Sequence, residues 1–139
     1  MHAHGGGEGV PRVELRYRRL MRCELRRDYR FESARRLTGI AADHPCAAVH
    51  GHSFRLRVKI DGEVVEPAGW VIDFNVVDET VGPVVAELDH ALLNDIEGLE
   101  NPTSEKVAAW IWDRIQPSLP GLVSVRVAET ETSSVTYRG

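Results

Sequence analysis

The chain has 139 residues, 42% of them apolar and 27% charged, with a net charge of −4. That length fits one domain with its own core, and no apolar run approaches the roughly 20 residues of a membrane-spanning helix. The charge is uneven: residues 1–36 hold ten arginines against five acids, and the remainder holds seven basic against sixteen acidic residues. Such a basic segment either attracts phosphates or forms a solvated strand with salt-bridge partners. No recognised binding motif accompanies it, so a nucleic-acid partner is not expected.

Residues 1–12 are rich in Gly and His and lack an apolar signal-peptide core. They read as a disordered tail ahead of a single domain over 13–139, and the protein is expected in the cytoplasm with Cys23 and Cys46 as free thiols. Arg22 to Ala34 is a candidate strand, with Tyr29, Phe31 and Ser33 in one row. Ser53 to Ile60 is a clearer one, because Phe54, Leu56, Val58 and Ile60 alternate with polar residues. Gly69 to Phe74 is a short third extended piece. Asn75 to Leu88 has Val77, Val81, Val84, Val85 and Leu88 at helical spacing, with Gly82-Pro83 expected to kink or divide it. Asn101 to Leu119 is a stronger helix, started at Pro102 to Glu105 and ended by Pro117. Val123, Val125 and Val127 alternate in a further strand, and Thr132 to Arg138 closes the chain.

Strands, then helices, then strands predict an antiparallel α+β domain: a four-stranded sheet with two helices on one face. Its two open edges favour oligomerisation through the sheet.

Several residues could carry chemistry. His50 and His52 lie two apart on a strand and so share the face of Phe54, which suits two imidazoles on one metal. Cys46, four residues earlier, is either a reactive thiol or a small buried hydrophobe. Asp89 and His90 could form an oriented pair, but adjacent residues point together only across a turn. Glu129 continues the row of Val125 and Val127, where a carboxylate is costly unless paired. It either binds the amino-pyrimidine edge of a ligand or faces water past the strand end. Thr103 and Ser104 either touch a ligand or cap a helix.

Taken in order, six segments resemble one family. They are Phe31-Glu-Ser-Ala-Arg-Arg-Leu37, Cys46-Ala-Ala-Val-His-Gly-His-Ser-Phe54, Gly69-Trp-Val-Ile-Asp-Phe74, Leu88-Asp-His90, Leu99-Glu-Asn-Pro-Thr-Ser-Glu105 and Val127-Ala-Glu-Thr130. They look like motifs of the 6-pyruvoyltetrahydropterin synthase family, especially its bacterial 6-carboxytetrahydropterin synthase branch of the queuosine pathway. Trp110-Ile-Trp-Asp113 and Tyr137-Arg-Gly139 resemble that branch too.

The resemblance implies a T-fold that assembles into a trimeric barrel and a hexamer. It implies a lyase taking 7,8-dihydroneopterin triphosphate to 6-carboxy-5,6,7,8-tetrahydropterin with loss of acetaldehyde and triphosphate. By position it makes His50 and His52 zinc ligands, Cys46 the catalytic thiol, Asp89 and His90 a proton relay, and Glu129 the pterin anchor near Thr103 and Ser104. The departure is Arg35, which stands where the family's first zinc histidine stands. A guanidinium offers no lone pair, and catalytic zinc usually has three protein ligands. Metal loss, a replacement ligand (His44, or tail residues His2 and His4) and a changed reaction, with Arg35 pairing a phosphate or carboxylate of a different substrate, are the alternatives. A non-catalytic pterin- or purine-binding paralogue is the rival to the enzyme.

Overall fold

The computed structural model describes residues 21–139 and the isolated position 2. The expected tail and the arginines before residue 21 lie outside the described residues, as does His4; His2 is exposed.

Strands β1 (Arg22–Arg35) and β2 (His50–Glu63) form an antiparallel pair in unbroken register, from Arg22 opposite Glu63 to Arg35 opposite His50. On the far side of β2 lie β4 (Leu122–Thr130) and then β5 (Ser133–Tyr137). The other edge is β3 (Ala91–Leu92), which runs parallel to β1. The order is β3-β1-β2-β4-β5, so the sheet has five strands and not the expected four. A two-residue strand has no periodicity for a sequence to display.

Both helices cover one face. α1 (Phe74–Leu88) packs on β1, and α2 (Ser104–Ile115) packs on β4 and β5. The core joins Phe31, Phe54, Leu56, Val58, Val125 and Val127 of the sheet to Val77, Val81, Leu88, Val107, Ile111 and Ile115 of the helices. Alternation in β2 is therefore the burial pattern it predicts: Phe54, Leu56, Val58 and Ile60 are all buried. Phe31 and Phe54 face each other across the strands and stack at 5.0 Å, which adds about 0.5–1.5 kcal/mol to the area they bury.

Other boundaries move for identifiable reasons. The piece expected at Gly69 to Phe74 is no strand; only Val65 and Trp70 form a bridge there. Asp73 instead caps α1, its side chain accepting the Asn75 N–H at 2.9 Å. Pro83 lies inside α1 without dividing it. α2 begins at Ser104, because Thr103 is its cap and accepts the Lys106 N–H at 3.2 Å. Beyond Ile115 the chain tightens into a 3₁₀ turn over Gln116–Ser118, which contains Pro117.

Candidate functional site

The end of β1, the start of β2, the end of β4 and the N-terminus of α2 meet at one end of the sheet. His50 and His52 share a strand face there, their rings edge to face at 5.0 Å. His50 Nδ1 lies 2.8 Å from the Ala48 carbonyl oxygen. A carbonyl only accepts, so Nδ1 carries the proton and Nε2 keeps the lone pair. That Nε2 is buried and has no partner among the described residues. His52 packs against Phe54 at 5.4 Å.

Arg35 sits directly across from His50 and is only 2% exposed. Its Nη2 donates to Glu129 Oε1 at 2.6 Å, and its Nη1 donates to the Pro102 carbonyl at 3.0 Å and to Ser104 Oγ at 3.2 Å. Ser104 Oγ donates in turn to Glu129 Oε1 at 2.5 Å, which closes a triangle. The guanidinium lies over the Phe54 ring, with Cζ 5.1 Å from its centroid. Arg35 Nε has no partner among the described residues.

A bulge places the carboxylate of that triangle. Ala128 pairs with Ser134 but Thr130 pairs with Ser133, so Glu129 is one residue more than β5 can match. Burial raises the Glu129 pKa, but the Ser104 hydroxyl and Arg35 together outweigh it and hold the group below the usual range. Glu129 is half-buried with Arg35 as its partner; its Oε1 accepts from both Arg35 and Ser104, and Oε2 has no partner among the described residues. Ser104, Glu129 and Ser133 to Val135 line a recess of about 110 Å³.

Asp89 and His90 come together through a turn. His90 has φ of 56°, in the left-handed region. Its N–H donates to the Glu32 carbonyl at 2.6 Å, and the Glu32 N–H donates to Asp89 Oδ1 at 2.8 Å. Asp89 Oδ2 lies 2.9 Å from His90 Nδ1. The Glu32 N–H first, then His90, hold the Asp89 carboxyl below the usual range. With Nδ1 turned to the carboxylate, His90 presents Nε2 outward from a largely exposed ring. His52, His90 and Glu32 line one open depression of about 560 Å³. Glu32 is absent from the sequence reasoning, because a strand residue that serves through its backbone leaves no residue-type signal.

Cys46 is half-buried in a 3₁₀ turn over Pro45–Ala47. Its carbonyl accepts the Leu37 N–H at 2.8 Å, which ties the turn to the chain just beyond β1. Its N–H donates to His44 Nδ1 at 3.0 Å. That bond uses the lone pair of neutral His44 and puts its proton on Nε2, leaving no free donor atom for a metal. Thr103 is occupied with capping; Ser104 reaches the site.

Zinc does not fit this donor set. His50 Nε2 has the right tautomer and an unused lone pair, but the third corner is filled by a buried guanidinium. Among the described residues no three of His, Cys, Asp and Glu converge.

The surroundings also set the charge of His52. Burial first, then Arg35, lowers its pKa, against a weaker upward pull from Glu129. The unfolded side chain titrates near 6.5. Below that pH the unfolded state binds more protons than the native state, so stability falls as pH drops through about 6.5. The loss continues until the lower native pKa is passed. With chelator present, Tm should therefore fall less between pH 7.5 and 5.5 for His52→Asn than for the unaltered protein. Equal falls in Tm would remove His52 as a source of the pH dependence.

Comparison with known proteins places this geometry. A solved 6-pyruvoyl tetrahydropterin synthase from Caenorhabditis elegans superimposes with a TM-score of 0.80 at 28% identity, over 87% of this chain and 98% of that one. The domain is thus a T-fold, an α+β domain whose sheet carries its site at one end. Residues 24–139 match the family model for 6-pyruvoyl tetrahydropterin synthase. A relative from Synechocystis sp., 6-carboxy-5,6,7,8-tetrahydropterin synthase, is 41% identical over 117 residues, 80% of this chain and 89% of that one. The chain belongs to the 6-pyruvoyl tetrahydropterin synthase family. A dihydroneopterin monophosphate aldolase from Pyrococcus furiosus is 45% identical over 78 residues, 56% of this chain and 65% of that one.

Proposed function

We propose that the protein is a pterin-pathway lyase that converts 7,8-dihydroneopterin triphosphate to 6-carboxy-5,6,7,8-tetrahydropterin with loss of acetaldehyde and triphosphate. The observation that carries this is the Asp89–His90 pair, bonded to Glu32 and sharing a depression with His52 in a chain of this family. Asp89 orients His90 so that Nε2 takes or returns a proton at the substrate side chain. Cys46 serves as the second proton-transfer group. Glu129 anchors the pterin ring through Oε2, with Ser104 holding its other oxygen in place. Subunits associate through the β3 and β5 edges into the trimer or hexamer of a multimeric barrel, in the cytoplasm, on the route to queuosine.

Cys46→Ala tests the proposal. Turnover, followed as acetaldehyde release with the product identified by mass spectrometry, should drop by at least about 100-fold, the low end for loss of an acid–base group. Substrate affinity measured by calorimetry should change by less than about twofold. Undiminished turnover would take Cys46 out of the mechanism.

One observation favours a second reading. The closed Arg35–Ser104–Glu129 triangle already satisfies much of the anchor carboxylate, as expected of a pterin- or purine-binding paralogue that does not turn its ligand over. Tight pterin binding without conversion in the unaltered protein would select it.

A further inference from the structure

Two buried side-chain atoms lack a hydrogen-bond partner among the described residues, Arg35 Nε and His50 Nε2. Buried polar atoms are nearly always paired, so an unpaired one needs a reason. These two belong to cross-strand neighbours on one face, and a series of ring contacts through His52 and Phe54 links their side chains. The His50 ring lies 5.0 Å from His52, His52 lies 5.4 Å from Phe54, and Arg35 Cζ lies 5.1 Å from Phe54.

The two atoms are chemically complementary. Arg35 Nε–H can only donate. His50 Nε2 can only accept, because its Nδ1 proton is directed at Ala48. A carboxylate would satisfy Arg35 but set its charge against the imidazole lone pair. An ammonium would satisfy His50 but meet the guanidinium. A metal ion would likewise take the lone pair while facing a fixed positive charge. A hydroxyl satisfies both, accepting from one and donating to the other. The remaining guanidinium nitrogens are fixed on Glu129, Pro102 and Ser104, so the donor is already oriented.

We propose that this site works without a metal, Arg35 Nε–H and His50 Nε2 together holding one hydroxyl of the ligand's side chain. The proposal rests on the pterin reading and deepens it: the third corner of a metal site has become a polar clamp that selects a hydroxylated side chain.

Calorimetry with two probes in the presence of EDTA tests it. Dihydroneopterin carries a hydroxylated side chain; 6-methyl-7,8-dihydropterin has none. Dihydroneopterin should bind about tenfold more tightly, the effect of one well-made hydrogen-bonded contact, and EDTA should leave that ratio unchanged. His50→Phe keeps the ring and removes the acceptor, so its ratio should approach one. Arg35→Lys should do the same. Should Arg35→Lys fail to fold, His50→Phe, checked by thermal denaturation, decides alone. A preference that disappears with EDTA overturns the proposal, because a metal then holds the hydroxyl. A preference retained in His50→Phe overturns it as well. Equal binding of both probes overturns the clamp and leaves the pterin reading standing, whereas binding of neither overturns both.

Discussion

Arg35→His binds zinc at least about 100-fold more tightly than the unaltered protein. Loss of a group that merely orients a ligand costs roughly 10–100-fold in metal affinity, and gain of a whole ligand should exceed that. His50 is already prepared, with Nδ1 directed at Ala48 and Nε2 free. His52 stands beside it on the same strand face. The substitution removes the charge that opposes a cation and supplies a third imidazole directly across from His50. Elemental analysis after mild chelation should find close to one zinc per subunit in Arg35→His and well below that in the unaltered protein. Equal, stoichiometric zinc in both would show that another group compensates for Arg35.

The second large effect concerns stability, and its asymmetry is the informative part. Arg35 is 2% exposed, while the Glu129 side chain is 32% exposed. Glu129→Ala strands the more deeply buried charge. Breaking a buried pair in that way costs about 3–5 kcal/mol, equivalent to a Tm fall on the order of 10 °C for a domain of this size. Arg35→Met leaves a carboxylate that water can reach and that Ser104 still bonds, at about 1–3 kcal/mol. The double variant should lie closer to Arg35→Met than to Glu129→Ala, because no uncompensated charge remains. Thermal unfolding of the three variants settles the order. If Arg35→Met proves the more damaging single change, the ion pair is not what holds this end of the sheet.

The parts of the fold that repeat are the parts the sequence displays. Alternation over Phe54 to Ile60 locates β2, and the same register extended backwards aligns His50 with His52. The helical spacing of Val77, Val81 and Leu88 locates α1. What stays hidden depends on distance or on backbone shape. Arg35 and Glu129 are 94 positions apart, and no local pattern says that a guanidinium at the end of one strand finds a carboxylate at the end of another. The Asp89–His90 pair requires a left-handed residue, a conformation that histidine tolerates better than most residues but that no local pattern announces; here the Glu32 backbone holds it, its carbonyl taking the His90 N–H and its N–H reaching Asp89. His44 next to Cys46 and His50 suggests a ligand by residue type alone. Its bond to the Cys46 N–H makes it a helix cap instead.

The bulge at Glu129 gives β4 a vulnerability of an unusual kind. The carboxylate is aimed at Arg35 by a residue count: one more position on β4 than on β5 between the flanking pairs. Shortening β4 by one residue there would make the ladder to β5 more regular while turning the side chains beyond it to the opposite face. Loss of that one position would leave the fold with more regular strand pairing and no carboxylate at Arg35. In the descent of such domains, loss or gain of a single codon here would switch the site off or on while the scaffold persists.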